Sequence, residues 1–129
     1  TAETKGIPLA HEMARLHGDK KFIVTRKSPK LYMKDVFSAD VRSITTAGQQ
    51  KLYLDMADAE LMDGRKILIV DDVISTGESL LALEKLVAKT GGRVAGKMAI
   101  LAEGDAVDRE DIIYLEKLPL FNADGSPKE

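Results

Sequence analysis

The sequence has no cysteine among its 129 residues. That excludes a disulfide framework, a thiolate metal site and a cysteine nucleophile. It has no large excess of charge: 19 Lys and Arg against 21 Asp and Glu give a formal net charge of -2. A general nucleic-acid surface is therefore not expected, because gripping a phosphate backbone needs a basic field. No apolar run approaches the ~20 residues that span a bilayer. No signal-peptide pattern opens the chain, and neither internal repeats nor low-complexity segments interrupt it. What is there amounts to one domain, 44% apolar and able to build a core. A soluble cytoplasmic protein without membrane or nucleic-acid partners is the default expectation.

The most informative stretch runs from residue 66 to residue 80. Ile67, Leu68, Ile69 and Val70 form an unbroken apolar run without alternation. Such a run reads as a strand buried on both faces, as in a parallel sheet covered by helices. Asp71 and Asp72 follow at its C-terminal end, where open α/β sheets place their ligands. Ser75, Thr76, Gly77, Glu78 and Ser79 then lead into an amphipathic helix over residues 80–87. A Ser/Thr/Gly loop at a helix start offers backbone N–H groups, hydroxyls and the positive end of the helix dipole, which together attract a phosphate. The two carboxylates can accept hydrogen bonds from sugar hydroxyls or hold a hydrated Mg²⁺. Phosphate at one end and a vicinal diol at the other describe a ribose 5-phosphate. The plainer reading is a strand-to-helix turn with Ser or Thr as N-cap. No Gly-Lys-Ser/Thr closes the loop, so it is not a Walker loop.

Residues 67–79 resemble the phosphoribosyl pyrophosphate (PRPP) signature of the type I phosphoribosyltransferases, in their purine, adenine-like branch. The resemblance implies an α/β fold: an open parallel sheet with helices on both faces, residues 67–70 at its centre, and a flexible hairpin lid. It implies a core over residues 1–121, a lid over about 27–54 and a C-terminal tail over 122–129, which reads as disordered. It also implies transfer of ribose 5-phosphate from PRPP to a purine base, adenine above others, with release of pyrophosphate. Mg²⁺ is the implied cofactor, PRPP and a purine base the substrates, and a homodimer the assembly. Asp71, Asp72 and Lys30 would serve catalysis, with Asp71 and Asp72 reaching the metal through water. Ser75, Thr76, Gly77, Glu78 and Ser79 would bind the 5′-phosphate.

The rest of the chain adds to this. Glu3, Thr4, Lys5 and Gly6 match a loop that in the family follows a buried strand, contains a cis peptide and binds pyrophosphate. By that resemblance the cis bond falls at Glu3–Thr4, and a strand and a base-covering hood are expected upstream. Pro8 suits a first helical turn, and Gly18 ends the helix that follows. His11 and His17 lie on it without a ligand set and read as structural or exposed. Residues 20–25 read as the next strand. Arg26, Lys27, Lys30 and Lys34 follow it; a charge run is ordinarily solvated, but the resemblance makes Arg26, Lys27 and Lys30 a cationic arm for pyrophosphate. Residues 41–45 and 51–54 read as two hairpin strands, weakly packed and joined by residues 46–49. Residues 58–65 read as a short helical turn, 93–101 as a strand, 103–111 as an acidic turn without EF-hand spacing, 111–115 as an edge strand, and 118–121 as an apolar hook.

Two departures from the family stand out. Glu78 replaces a second glycine, bringing a carboxylate that suits the helix dipole but repels phosphate. Ser75 stands where the hypoxanthine-guanine enzymes carry Asp, and residues 41–50 hold none of the acid that adenine enzymes place near the base. The proton at the base is thus unassigned. A second reading stays open: the purine repressors share the Thr4–Lys5–Gly6–Ile7–Pro8–Leu9–Ala10 stretch and sense PRPP without turning it over.

Overall fold

The structure, a computed structural model, describes residues 1–18, 20–41 and 50–128. Its elements are α1 (Ile7–Leu16), β1 (Phe37–Val41), β2 (Gln50–Leu54), α2 (Met56–Met62), β3 (Lys66–Ile74), α3 (Glu78–Lys89), β4 (Arg93–Glu103) and β5 (Ile113–Leu118), with a 3₁₀ turn at Gly104–Asp108. The α/β architecture follows the expectation. β3, β4 and β5 make a parallel sheet in that order, and α3 is the crossover between β3 and β4. α1 packs against β3, and α3 against β3 and β4.

The buried run extends further than its apolar residues. β3 continues through Asp71 and Asp72 to Ile74, so both carboxylates lie on a strand pinned by β4, with Asp71 opposite Ala99. α3 begins at Glu78 and buries Leu80, Leu83, Leu86 and Val87. Those positions recur at helical spacing, which turns one face to the core. Each such side chain contributes about 1.5–3 kcal/mol when fully buried.

Several elements differ from the sequence expectation. β3 stands at the edge of the three-stranded sheet rather than at its centre. Residues 20–24 form no ladder among the described residues. The backbone partners near them are short: Ala2 bridges Thr25 in parallel, and Arg26 bridges Tyr53. Between residues 20–25, α1 and the free edge of β3 lies a groove of about 360 Å³. Thr25 lines it and is buried with its hydroxyl unpartnered among the described residues.

The hairpin is also placed earlier and packed more firmly than expected. β1 starts at Phe37, paired with Leu54, and Ala39 pairs with Leu52. Ala39, Val41, Leu52 and Leu54 all enter the core, and both strands pack on α3. Period-two alternation in residues 37–41 carries this burial, and reading the strand from Val41 onward missed it. The expected strand over 42–45 and connection over 46–49 lie outside the described residues. α2 begins at Met56 because Asp55 caps it, its carboxylate accepting from the Asp58 N–H at 3.1 Å. The tail forms a turn rather than a disordered end. Asp124 Oδ1 accepts from the Ser126 N–H at 2.9 Å, Gly125 takes φ 85°, and Phe121 bridges Pro127. The short Asp-Gly-Ser stretch supplies that turn chemistry locally.

Candidate active site

The C-terminal end of β3 brings the two carboxylates to the mouth of the sheet. Asp71 is half-buried, and its Oδ1 accepts from the Asp72 N–H at 2.8 Å. Burial pushes the Asp71 carboxyl up to about 6, and a side-chain hydrogen bond with Asp72 adds to this. The Asp72 N–H and the Thr1 amine act in the opposite direction. Burial thus favours the neutral form of the Asp71 carboxyl, and a nearby cation would favour its charged form.

After Ile74 the chain turns sharply into α3. Gly77 is the N-cap, with φ 82° and ψ 5°. Only glycine takes this left-handed conformation without steric cost. The plainer expectation, a Ser or Thr N-cap, does not hold: Gly77 has no side chain to cap with. The nearest substitute is Thr76 Oγ1, 3.4 Å from the Glu78 N–H. Weakly capped N–H groups at a helix start are the donors that an anion can use. Glu78 is the first residue of the helix, where its charge suits the dipole.

A second loop comes up against the first. The Glu3–Thr4 peptide is cis, as expected for this loop. Gly6 is buried, and a Cβ placed on it would lie 3.2 Å from Asp71 Oδ1. The backbone of residues 3–6 thus approaches the acidic pair closely. Glu3 ties this loop to the basic segment: Oε1 accepts from the Lys27 N–H at 2.6 Å, and Oε2 from Arg26 Nη1 at 3.3 Å. The Lys27 N–H, then Arg26 and Lys30, hold the Glu3 carboxyl below its usual range. Lys27 and Lys30 are exposed, and Lys30 Nζ donates to Ser28 Oγ at 3.3 Å. Lys5 and Thr4 are exposed as well. The structure therefore gathers Glu3, Gly6, Arg26, Lys27 and Asp71 at one end of the sheet. Among the described residues no hydrogen bond or ion pair joins the basic segment to Asp72 or to residues 75–79.

The donor set suits Mg²⁺. Two adjacent carboxylates offer hard oxygen ligands, and Mg²⁺ commonly keeps several waters while leaning on one or two carboxylates. Among the described residues no three His, Asp or Glu side chains converge on a metal cage. Gly104–Asp108, within the acidic stretch 103–111, form a 3₁₀ turn. His11 meets the Phe22 ring edge to face at 5.9 Å, and both histidines are exposed, as expected of structural residues.

One residue at this end escaped the sequence reading. Arg109 follows the 3₁₀ turn and lies against the turn that opens α3: a Cβ placed on Gly77 would be 2.6 Å from Arg109 Nη1. The only signal in the sequence is that Arg109 is the single basic residue in the acidic stretch 103–111.

The model of the phosphoribosyl transferase domain family matches residues 1–120. A hypoxanthine/guanine phosphoribosyltransferase from Methanothermococcus okinawensis is 32% identical over 95% of this chain and 66% of its own length. A xanthine phosphoribosyltransferase from an Exiguobacterium species is 30% identical over 88% of this chain and 58% of its own. The crystal structure of adenine phosphoribosyltransferase from Thermoanaerobacter pseudethanolicus superposes with a TM-score of 0.76 at 27% identity, covering 91% of this chain and 67% of that one. The chain belongs to the phosphoribosyl transferase domain family. It spans less than two thirds of the length of these two curated relatives.

Proposed function

We propose that the protein is a purine phosphoribosyltransferase, with adenine as the favoured base. It would transfer ribose 5-phosphate from PRPP to the base and release pyrophosphate. The observation that carries this reading is the arrangement at the end of β3. Two carboxylates on a pinned strand run into a Ser-Thr-Gly turn whose Gly77 opens α3, with the loop of Gly6 against Asp71. The relatives' names give four different bases, hypoxanthine, guanine, xanthine and adenine, so adenine rests on Ser75 standing where the hypoxanthine-guanine branch carries Asp.

In this reading Ser75, Thr76, Gly77, Glu78 and Ser79 hold the 5′-phosphate through N–H groups and hydroxyls. Asp71 and Asp72 accept from the ribose hydroxyls and from waters of the metal. Glu3, Thr4, Lys5 and Gly6, with Arg26, Lys27 and Lys30, receive the leaving pyrophosphate. Glycosyl transfer passes through an oxocarbenium-like transition state, so charge must be drawn off the leaving group as the bond to C1 lengthens. Mg²⁺, when bound, supplies further positive charge for that departing group. Lys30 reaches the site on the exposed segment 27–36, which would close with the lid and exclude water. In the same reading an upstream strand fills the groove beside β3, supported by the β3 edge and the Thr25 hydroxyl, both without a partner among the described residues. The reading includes a cytoplasmic homodimer; among the described residues no helix is long and apolar enough to cross a membrane.

The test is pyrophosphate release from PRPP and Mg²⁺ by the full-length protein, with adenine, hypoxanthine, guanine and xanthine offered separately. Turnover with adenine above the others is expected. Asp72→Asn keeps the shape but removes the charge that strengthens bonds to the diol and metal waters. A hydrogen bond to a charged group is worth ~1.5–3 kcal/mol, so PRPP affinity should fall about ten- to a hundredfold. Tight PRPP binding without turnover of any base would instead make the protein a PRPP-sensing regulator.

A further inference from the structure

The loop proposed to hold the phosphate contains no cation. Ser75, Thr76, Gly77, Glu78 and Ser79 carry one carboxylate and no basic side chain. Backbone amides and a helix end supply partial charge only, while a phosphate monoester near neutral pH carries close to two negative charges. A full positive charge is missing from the loop itself, and Glu78 deepens the deficit.

A guanidinium stands beside that loop. Arg109 leaves the 3₁₀ turn after β4 and is locked by Asp111: Nε donates to Oδ1 at 2.8 Å and Nη2 to Oδ2 at 2.6 Å. This parallel pair fixes the plane of the guanidinium. Nη1 is left over and lies against Gly77, as the 2.6 Å approach of a built Cβ indicates. Among the described residues Nη1 has no hydrogen-bond partner. Asp111 also accepts from Lys97 Nζ at 3.0 Å, and Lys97 pairs with Glu84 at 2.5 Å. Glu84 lies on α3. The chain Arg109–Asp111–Lys97–Glu84 thus ties the guanidinium to the body of the helix whose first turn forms the phosphate loop. Asp111 is divided between two cations, so it neutralises neither completely.

We propose that Arg109 is a phosphate-binding residue, its free Nη1 edge donating to the 5′-phosphate that the loop at Gly77 holds. This rests on the reading of residues 75–79 as a phosphate loop. Asp111 is then a positioning residue, which aims the guanidinium without touching the ligand. The arrangement also explains why glycine suits residue 77 twice over. It takes the positive φ, and it leaves room for Nη1.

The experiment uses the full-length protein and ligands that need no choice of base: ribose 5-phosphate, PRPP and inorganic pyrophosphate. Arg109→Ala, Arg109→Lys and Thr76→Ala are compared with the wild type by calorimetric titration. Arg109→Ala should weaken ribose 5-phosphate and PRPP about ten- to a hundredfold and leave pyrophosphate unchanged. Arg109→Lys should recover part of the loss, because charge returns without the fork. Phosphorus NMR of bound ribose 5-phosphate should show its second ionisation moving to higher pH in Arg109→Ala, since a nearby cation favours the dianion. If Thr76→Ala weakens ribose 5-phosphate while Arg109→Ala does not, Arg109 only covers Gly77 and the inference fails with the loop reading intact. A lower melting temperature in Arg109→Ala with an unmoved phosphate ionisation would overturn it in the same way. If the wild type binds no ribose 5-phosphate, or Thr76→Ala binds it equally well, the loop reading fails and this inference with it.

Discussion

Glu3 joins two segments that are 24 residues apart by accepting from the Lys27 N–H, and it pairs with Arg26 as well. Its folded-state carboxyl is held below the ordinary value of 4.5, first by the Lys27 N–H. The sign follows from linkage. A carboxyl depressed on folding adds stability that is fully present above its unfolded value and is lost as pH falls through the folded one. The tie between the two loops should therefore hold from neutrality down to about pH 4.5 and loosen below it. Thermal melts between pH 7 and 3 check this. Glu3→Gln keeps a side-chain acceptor but cannot titrate, so its acid limb should be flatter than that of the wild type. Superimposable acid limbs would mean that Glu3 does not link the loops in solution.

At the scale of elements, α3 carries two separate tasks. Its body is core: Leu86 is 1% exposed and packs in the main cluster. Its first turn belongs to the proposed site: Gly77 sits at φ 82° beside Arg109. Leu86→Ala should cost ~2–5 kcal/mol of stability, as buried leucine truncations do, without changing the folded protein's affinity for ribose 5-phosphate. Gly77→Ala should cost about 1–2 kcal/mol through the left-handed backbone and should also weaken that ligand, because its Cβ displaces Nη1. Chemical denaturation with ligand titration on each variant separates the two; a Gly77→Ala protein that binds normally would detach the turn from the site. These tasks were unequally legible in the sequence. The unbroken run at Ile67 to Val70, then two acids, then Ser-Thr-Gly, is local information, and the structure keeps that order. The edge position of β3 was not legible, because a strand buried on both faces reads alike at centre and edge. Burial of Ala39 and Val41 was hidden by small residues and a polar neighbourhood. Arg109 was hidden more deeply, since its meeting with Gly77 spans 32 residues of sequence and exists only once β4 has returned beside β3.

Across the whole molecule, burial divides the proposed lid into parts with different freedom. β1 and β2 are paired along their described length and anchored on α3, with Leu54 1% exposed. The segment between Lys27 and Val36 is tied only at Lys27, to Glu3, and at Lys34, whose carbonyl accepts from the Met56 N–H, among the described residues; between them Leu31 is fully exposed and Tyr32 is 65% exposed. Amides in a packed hairpin exchange through large openings, whereas those of an exposed loop exchange through local ones. Without ligand, residues 50–54 should therefore exchange slowly and residues 28–36 quickly. If the exposed segment carries Lys30 onto the pyrophosphate, PRPP with Mg²⁺ should slow exchange in 28–36 by a large factor. It should also slow the hairpin, by no more than the overall stabilisation from binding, about 2.7 kcal/mol at a ligand concentration one hundred times Kd. Ribose 5-phosphate, which lacks the pyrophosphate, should give the second effect without the first. Hydrogen exchange followed by mass spectrometry resolves both segments in one experiment. Equal protection of 28–36 by the two ligands would place the basic segment away from the leaving group and remove Lys30, Lys27 and Arg26 from the proposed chemistry.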